Sequence, residues 1–271
     1  MNDAFLWIVN NELVIPGLRK EHVFLHASDT HICASDEYST AQETANAAAW
    51  DAKWMKQKEA FAHSFREPYG DAQRISTVEG FAHIMEYAAR EEPDGLLLSG
   101  DLLECMHPAG ERLLSKSLKD YGLPYLCVPG NHESENCPGA WKAGVQVLDC
   151  EGFRIVGVDN RLKTVTDSDL DRLEALASEG IPMIMLYHIP VMALDNQEEM
   201  NKFSEYFVIG RGTEDANAQR FIRFLTENDV VKMALCGHVH GYSDTQIVPG
   251  KRQITASQGM IGFVNRLIVH G

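Results

Sequence analysis

The sequence predicts an α/β protein with a mostly parallel central sheet, and three observations support this class. Short apolar runs alternate along the chain with longer amphipathic segments, which is the pattern of strands joined by crossover helices. Nearly all the runs are continuously apolar, as expected for strands that are covered on both faces. No stretch rich in Pro, Gly or Ser divides the chain. We therefore expect a single domain over residues 1–271.

The N-terminal segment predicts a β-hairpin. Phe5–Val9 and Leu13–Ile15 have the apolar content of strands. Asn10 and Asn11 lie between them, and asparagine tolerates the positive φ that a tight hairpin turn requires. We therefore expect these two short segments to pair with each other.

The rest of the chain predicts strands and helices in alternation. Ser76 and Glu79 have the spacing of a capping box, which predicts the start of a helix. Gly122 and Gly180 predict the ends of two further helices, and residues 217–228 predict a fourth. The predicted strands are Val23–Ala27, Leu96–Ser99, Tyr125–Val128, Phe153–Val158, Met183–Tyr187 and Lys232–Cys236, followed by Gln246–Val248, Gln253–Thr255 and Val264–Val269.

Charge and hydropathy exclude several classes of partner. The chain has 24 Lys and Arg against 39 Asp and Glu, a formal charge of −15. So acidic a surface repels phosphate backbones and anionic lipids, which argues against non-specific binding to nucleic acid or membrane. No apolar run approaches the ~18 residues of a membrane span, and the N-terminus lacks the pattern of a signal peptide. We expect a cytoplasmic protein; its oligomeric state is not predicted.

The chemically active residues come directly after predicted strands. In an open α/β sheet, ligands bind just beyond the carboxyl ends of the strands, so these side chains are expected to meet at one edge. Histidine, aspartate and asparagine in such a cluster are typical ligands of divalent metal ions. The five clusters are Asp29-Thr30-His31, Gly100-Asp101, Gly130-Asn131-His132-Glu133, His188 and Gly237-His238-Val239-His240.

This ordered set resembles the calcineurin-like metallophosphoesterase family, whose pattern is D-x-H, G-D, G-N-H-[E/D], H and G-H-x-H. The resemblance spans residues 29–240. It implies a four-layer αββα sandwich, with two mixed sheets flanked by helices. It also implies hydrolysis of phosphate esters by a hydroxide that bridges two transition-metal ions. Ligands of mixed N and O type without thiolates favour Mn, Fe or Zn.

The resemblance also implies a role for individual side chains. Asp101 bridges the two ions and is counted as catalytic for that reason. His132 is not a ligand and protonates the leaving oxygen or hydrogen-bonds the transferred group. By the same resemblance the first ion is held by Asp29, His31, Asp101 and His240, and the second by Asp101, Asn131, His188 and His238.

Departures from the family pattern narrow the range of expected substrates. Protein Ser/Thr phosphatases have further glycine, aspartate and arginine residues around these motifs that are missing here, and purple acid phosphatases have a tyrosine where this chain has Glu104. Glu104 is instead expected to hydrogen-bond a ligand histidine. A small-molecule phosphomonoester or phosphodiester is the expected substrate. A nuclease on the same ligand pattern and a non-catalytic metal-binding scaffold are the alternatives.

Residues 33 to about 70 exceed what one crossover between strands requires. This helical insertion carries Trp50, Trp54, Phe61 and Phe65 on roughly one face. Either that face packs on the sheet, or the insertion caps the metal site and selects substrates; a dimer contact is a further alternative. Candidate substrate contacts are Tyr38, His63, Arg66 and Tyr69 in the insertion, with His107 and Tyr242 beside the motifs.

Overall fold

The structure is a computed structural model that describes residues 5–65, 75–104, 106–133, 144–203, 207–212 and 214–271. Eleven strands within these ranges form two mixed sheets. The strands are β1 (Trp7–Val14), β2 (His22–Ala27), β3 (Gly95–Ser99), β4 (Tyr125–Val128), β5 (Gln146–Cys150), β6 (Phe153–Gly157), β7 (Met183–Leu186), β8 (Val231–Cys236), β9 (Ser243–Val248), β10 (Lys251–Thr255) and β11 (Phe263–His270).

The first sheet has the strand order β1-β11-β2-β3-β4, and the second has the order β5-β6-β7-β8-β10-β9. Neighbouring strands β2, β3 and β4 run parallel, as do β6, β7 and β8. No helix in the described ranges is both long and apolar enough to cross a membrane. The helices are α1 (Ala41–Phe65), α2 (Thr77–Glu91), α3 (Pro108–Tyr121), α4 (Asp167–Ser178), α5 (Gln197–Met200) and α6 (Ala216–Glu227).

Three apolar clusters join the sheets and helices into four layers. The middle cluster lies between the sheets, with Phe24 and Leu97 from the first sheet and Ile184 and Leu235 from the second. A second cluster packs α2 and α3 on the outer face of the first sheet, and a third packs α4 and α6 on the outer face of the second. This αββα order is the predicted architecture, and it explains why the core strands are continuously apolar.

The predicted helix boundaries in the core are confirmed. Ser76 caps α2 with a complete capping box in which Glu79 takes part. α3 ends at Tyr121, and Gly122 follows it with φ 70°. Glycine adopts this left-handed conformation without the steric cost of a side chain, so the helix ends where the pattern predicts.

The predicted N-terminal hairpin is wrong. β1 is one continuous strand that pairs in parallel with β11, from Trp7 opposite Phe263 to Val14 opposite His270. Asn11 lies inside this strand, only 5% exposed, and its Nδ2 donates to Asn265 Oδ1 at 2.8 Å. A partner from the other end of the chain thus satisfies the polar side chain that looked like a turn signal. The sequence pattern also missed β5, a half-buried strand antiparallel to β6.

Replacement of Asn11 by alanine is expected to lower the free energy of unfolding by about 1–3 kcal/mol, because it leaves buried Asn265 without this hydrogen-bond partner. Urea denaturation followed by circular dichroism measures the change. Asn10→Ala is the matched control, since Asn10 is exposed in the same strand. Equal effects of the two substitutions would contradict a structural role for the Asn11–Asn265 hydrogen bond.

Candidate metal centre

The five clusters meet because backbone hydrogen bonds join the ends of neighbouring strands. Asp29 N donates to Gly100 O at 3.0 Å within the first sheet, and Gly237 N donates to His188 O at 2.9 Å within the second. The two sheets are joined at the same edge, where His238 N donates to Asp29 Oδ2 at 2.9 Å. The polar strand ends of both sheets therefore form one site.

Most of the predicted ligands have an unusual backbone conformation. Seven non-glycine residues of the described chain have positive φ, and five of these are predicted ligands. A left-handed backbone costs a residue with a side chain about 1 kcal/mol or more, and it persists only where the surroundings impose it. Such a concentration is typical of a functional site. The five are Asp29 (53°), His31 (45°), Asp101 (50°), His238 (72°) and His240 (54°).

The first group of ligand atoms consists of Asp29, His31 and His240. His31 Nε2 and His240 Nε2 lie 2.9 Å apart, and Asp29 Oδ1 is 3.4 Å from His240 Nε2 and 3.9 Å from His31 Nε2. His31 Nδ1 contacts Glu104 Oε2 at 2.8 Å, which is the expected contact between Glu104 and a predicted ligand histidine. A carboxylate only accepts, so Nδ1 carries the proton and Nε2 presents its lone pair.

The second group consists of Asp101, His188 and His238, with Asn131 beside them. His188 Nε2 lies 3.2 Å from Asp101 Oδ2, 3.1 Å from His238 Nδ1 and 3.2 Å from Asn131 Oδ1. His188 Nδ1 contacts the carbonyl oxygen of Ser99 at 2.7 Å, so the proton of the neutral ring is on Nδ1. Atoms with lone pairs from three other side chains therefore lie within 3.2 Å of His188 Nε2.

These two groups fit divalent metal ions. Nitrogen atoms with lone pairs that face each other repel unless a cation or a proton lies between them. Two nitrogens bound to one metal ion at 2.0–2.1 Å are about 2.9 Å apart at a right angle and about 3.4 Å apart in a tetrahedron. The distances of 2.9 Å between His31 Nε2 and His240 Nε2 and of 3.1 Å between His188 Nε2 and His238 Nδ1 fall in this range. The donor set of imidazole, carboxylate and amide groups also suits divalent ions.

The electrostatics of the site favour bound cations. Burial raises the pKa of the Asp29 carboxyl, but the contact with His240 and its charge outweigh burial and hold the pKa at about 2. Burial also raises the pKa of Asp101, yet the charge of His188 holds it well below its usual range. Burial lowers the pKa of His188, but the charge of Asp101 raises it to about 9. A bound cation would take the place of the additional proton that makes His188 positively charged, and would balance the negative charge of the carboxylates.

Two glycines leave room for this arrangement of ligands. A Cβ on Gly130 would overlap the Asp101 carboxylate, and a Cβ on Gly237 would overlap Ser28 Oγ and Asp29 Oδ2. The glycines in these motifs therefore allow the backbone of one strand end to touch the ligand side chain of another.

A pocket with a volume of about 330 Å³ opens above the two groups. His132 lines it with about one third of its side chain exposed, and His132 Nδ1 is 3.5 Å from Glu104 Oε2. Glu104 thus lies between a predicted ligand, His31, and the predicted proton donor, His132. Five predicted ligands also line the pocket: His31, Asp101, Asn131, His238 and His240.

Sequence reasoning assigned no role to two buried side chains that shape the site. Glu133 accepts hydrogen bonds from the backbone N–H groups of Asp101 (2.9 Å), Leu103 (3.0 Å) and Gly130 (2.6 Å), and so fixes two motif turns. Asn160 Oδ1 accepts from His188 N at 3.0 Å. Glu133 belongs to one of the five motifs, so its position could have indicated a role. Asn160 follows a strand but belongs to no motif, and nothing in the sequence around it indicates a role.

The remaining candidates for substrate contact lie elsewhere. Tyr38, His107 and Tyr242 are not among the described residues that line the pocket. Arg66 and Tyr69 lie outside the described residues, as do the side chains of His63, Phe61 and Phe65. The helical segment instead contributes four residues of α1 to the pocket wall: Trp50, Lys53, Trp54 and Gln57.

Comparison with known proteins places this site in a family context. A family model described as calcineurin-like phosphoesterase matches residues 22–242. A probable cyclic nucleotide phosphodiesterase of Synechococcus sp. is 26% identical over 194 residues, 66% of this chain and 70% of that protein. A glycerophosphodiester phosphodiesterase of Enterobacter lignolyticus is 24% identical over 196 residues, 65% of this chain and 64% of that protein, less than two thirds of its length.

Two solved structures share the fold. A dimetal phosphatase from Danio rerio superposes with a TM-score of 0.53 at 13% identity, covering 88% of each chain. A purple acid phosphatase from yellow lupin seeds also has a TM-score of 0.53 at 13% identity, covering 92% of this chain and 45% of that chain. With the family model matching most of its length and the motif side chains gathered at one edge, the chain belongs to the calcineurin-like phosphoesterases, a family of metal-dependent hydrolases.

Proposed function

We propose that the protein hydrolyses small-molecule phosphodiesters with two divalent metal ions. The observation that carries this proposal is the convergence of two groups of ligand atoms beneath one pocket that His132 also lines. The relatives named above support a diester, because their names give a cyclic nucleotide and a glycerophosphodiester as substrates. Both are small phosphodiesters.

The ligands of the two ions follow the two groups. Asp29, His31 and His240 would hold one ion, and Asp101, Asn131, His188 and His238 the other, with Asp101 shared between them. Two such ions neutralise charge on the phosphoryl oxygens and lower the pKa of water. The protein supplies the fixed geometry of the ligands and keeps His31 and His188 in the tautomer that binds through Nε2.

His132 is the proposed proton donor. Hydrolysis forms a bond from a water oxygen to phosphorus and breaks the bond from phosphorus to the leaving oxygen, which needs a proton when it leaves as an alkoxide. His132 Nε2 is 4.0 Å from Asp101 Oδ2 and its Nδ1 is 3.5 Å from Glu104 Oε2, so the ring lies beside both groups of predicted ligands. The proton passes from His132 to the leaving oxygen.

The charge of the pocket favours a diester over a monoester. Among the described lining residues, Lys53 is the single Lys or Arg, and the chain has a formal charge of −15. A phosphomonoester dianion has one more negative charge than a diester monoanion and needs a stronger cationic clamp. Nucleic acid has a larger charge still, which disfavours the nuclease alternative.

A phosphate-release screen tests the proposed function. Cyclic nucleotides, glycerophosphodiesters, sugar phosphates and a single-stranded oligonucleotide are each incubated with the protein and Mn²⁺, Zn²⁺ or Fe²⁺. A diesterase releases inorganic phosphate from a small diester only after a separate monoesterase is added, so each reaction is run with and without that enzyme. Phosphate that appears without the added enzyme would identify a monoesterase, cleavage of the oligonucleotide alone a nuclease, and no turnover a scaffold.

Reconstitution with Mn²⁺ or Zn²⁺ is expected to yield two ions per chain, because the predicted ligands fall into two groups, while the third cluster of possible ligands in the described residues adds only Glu104 and His132 to His31. Metal analysis after removal of free ions measures the ratio. The iron-loaded protein is expected to lack a tyrosinate-to-iron charge-transfer band, since Glu104 stands where that colour requires a tyrosine. A ratio of one or none, or a purple protein, would contradict the proposed site.

A further inference from the structure

Part of the pocket wall is built by residues outside all the metal-binding motifs. Lys53 and Trp50 come from α1, and Phe207 comes from the segment before α6. We propose that Lys53 and Phe207 form a subsite that selects phosphodiesters bearing a nucleobase. This inference rests on the proposed function and names the substrate class for it. A volume of about 330 Å³ suits a ligand of nucleotide size.

The subsite lies against both groups of predicted ligands. Trp54, only 6% exposed, anchors α1 beside the first group, with its ring centroid 4.5 Å from that of His31 and 5.7 Å from that of His240. The ring of Phe207 is 5.2 Å from that of His238 in the second group. A substrate whose phosphate contacts both groups is therefore within reach of α1 and of Phe207.

Lys53 has a fixed position and an available charge. Its Nζ lies 3.8 Å from the ring centroid of Trp50 and 5.5 Å from that of Trp54, so the two indoles hold the ammonium at the pocket. In the described part of this acidic chain, no carboxylate forms an ion pair with Lys53. An ammonium group held in this way attracts the π face of a further aromatic ring.

Phe207 offers a stacking surface in the same pocket. It is 37% exposed, one of a few large apolar side chains of the described chain with such exposure. A nucleobase presents two π faces, and stacking of a base on an aromatic side chain is tolerant of sequence. One face of the base would stack on Phe207 while the other faces the Lys53 ammonium.

Other headgroups fit this wall less well. A glycerol group has no ring to stack on Phe207. A quaternary ammonium group binds to aromatic faces, but Lys53 already occupies the face of Trp50 and would repel a second cation. The aromatic surface and the single positive charge together favour a neutral planar ring attached to an anionic diester.

The test compares Lys53→Met, Phe207→Leu and, as a matched control, Lys56→Met, which removes an exposed lysine of α1 outside the pocket. The measured quantity is the ratio of kcat/KM for cyclic adenosine monophosphate to kcat/KM for glycerophosphoglycerol. We expect each subsite variant to lower this ratio about tenfold, and the control to leave it unchanged. Metal content is expected to stay at the wild-type level in all three variants.

A binding measurement separates this inference from the proposed function. Isothermal titration of the metal-loaded protein with adenosine monophosphate is expected to give a dissociation constant about tenfold higher for Lys53→Met and Phe207→Leu than for Lys56→Met. An unchanged ratio of kcat/KM and unchanged binding would overturn the subsite while leaving the hydrolase in place. A wild-type protein without turnover would overturn the proposed function, and the titration would still decide the subsite.

Discussion

Replacement of Asp101 by asparagine is expected to remove metal and activity together. The Asp101 carboxylate is 2% exposed; its Oδ1 accepts from His132 N at 2.9 Å and its Oδ2 faces His188 Nε2 at 3.2 Å. The substitution deletes one negative charge from a buried site that is proposed to hold two cations. We expect at most about one ion per chain and a fall in kcat on the order of 10³-fold or more.

Metal analysis and kcat at saturating metal concentration measure these two effects. Asp120→Asn is the control, because Asp120 is an exposed carboxylate on α3. A circular dichroism spectrum shows whether the variant has folded. An Asp101→Asn protein with two ions and the rate of the control would contradict the proposed bridging role.

Replacement of His132 by alanine is expected to lower kcat by ~10²–10⁴ while both ions stay bound. The reason is that His132 lines the pocket with about one third of its side chain exposed and is not a predicted ligand. His132 does lie in a cluster with His31 and Glu104, but Glu104 there accepts the hydrogen bond from His31 Nδ1. The loss should shrink for bis(p-nitrophenyl) phosphate, since a p-nitrophenolate leaving group needs no proton. It should be largest for diesters of alkyl alcohols.

His83→Ala is the matched control, because His83 on α2 has a side-chain exposure of 34% against 32% for His132. Rates for a series of diesters with leaving groups of increasing pKa separate the two roles under test. A His132→Ala protein that loses its metal ions would show that His132 holds metal. An equal loss for every leaving group would show that it does not deliver the proton.

Much of the fold could be predicted because its signals are local. A core strand is covered by the other sheet on one face and by helices on the other, so it needs apolar side chains on both faces. That requirement is visible in Leu96–Ser99. Ser76 starts α2 because its side chain caps the helix, and Gly122 ends α3 because its backbone tolerates a left-handed conformation. The order of the polar clusters after the strands also indicated a common site, because parallel strands end at the same edge.

The errors have a common cause in contacts between distant parts of the chain. Asn11 looked like a turn residue, and its place in a buried strand depends on Asn265. The half-buried strand β5 depends on its antiparallel neighbour β6. Neither partner can be recognised from the residues next to Asn11 or Gln146 alone.

The sequence by itself determined the continuously apolar core strands, the helix ends and the set of predicted metal-binding residue types, since each of these depends on neighbours within a few positions. Only the tertiary structure set the distances within each group of predicted ligands, with His31 facing His240 and His188 facing His238. It alone brought Lys53 and Phe207 to the same pocket. These residues come from strand ends and helices that are far apart in the chain. The distances between them are set only when the sheets and helices pack together.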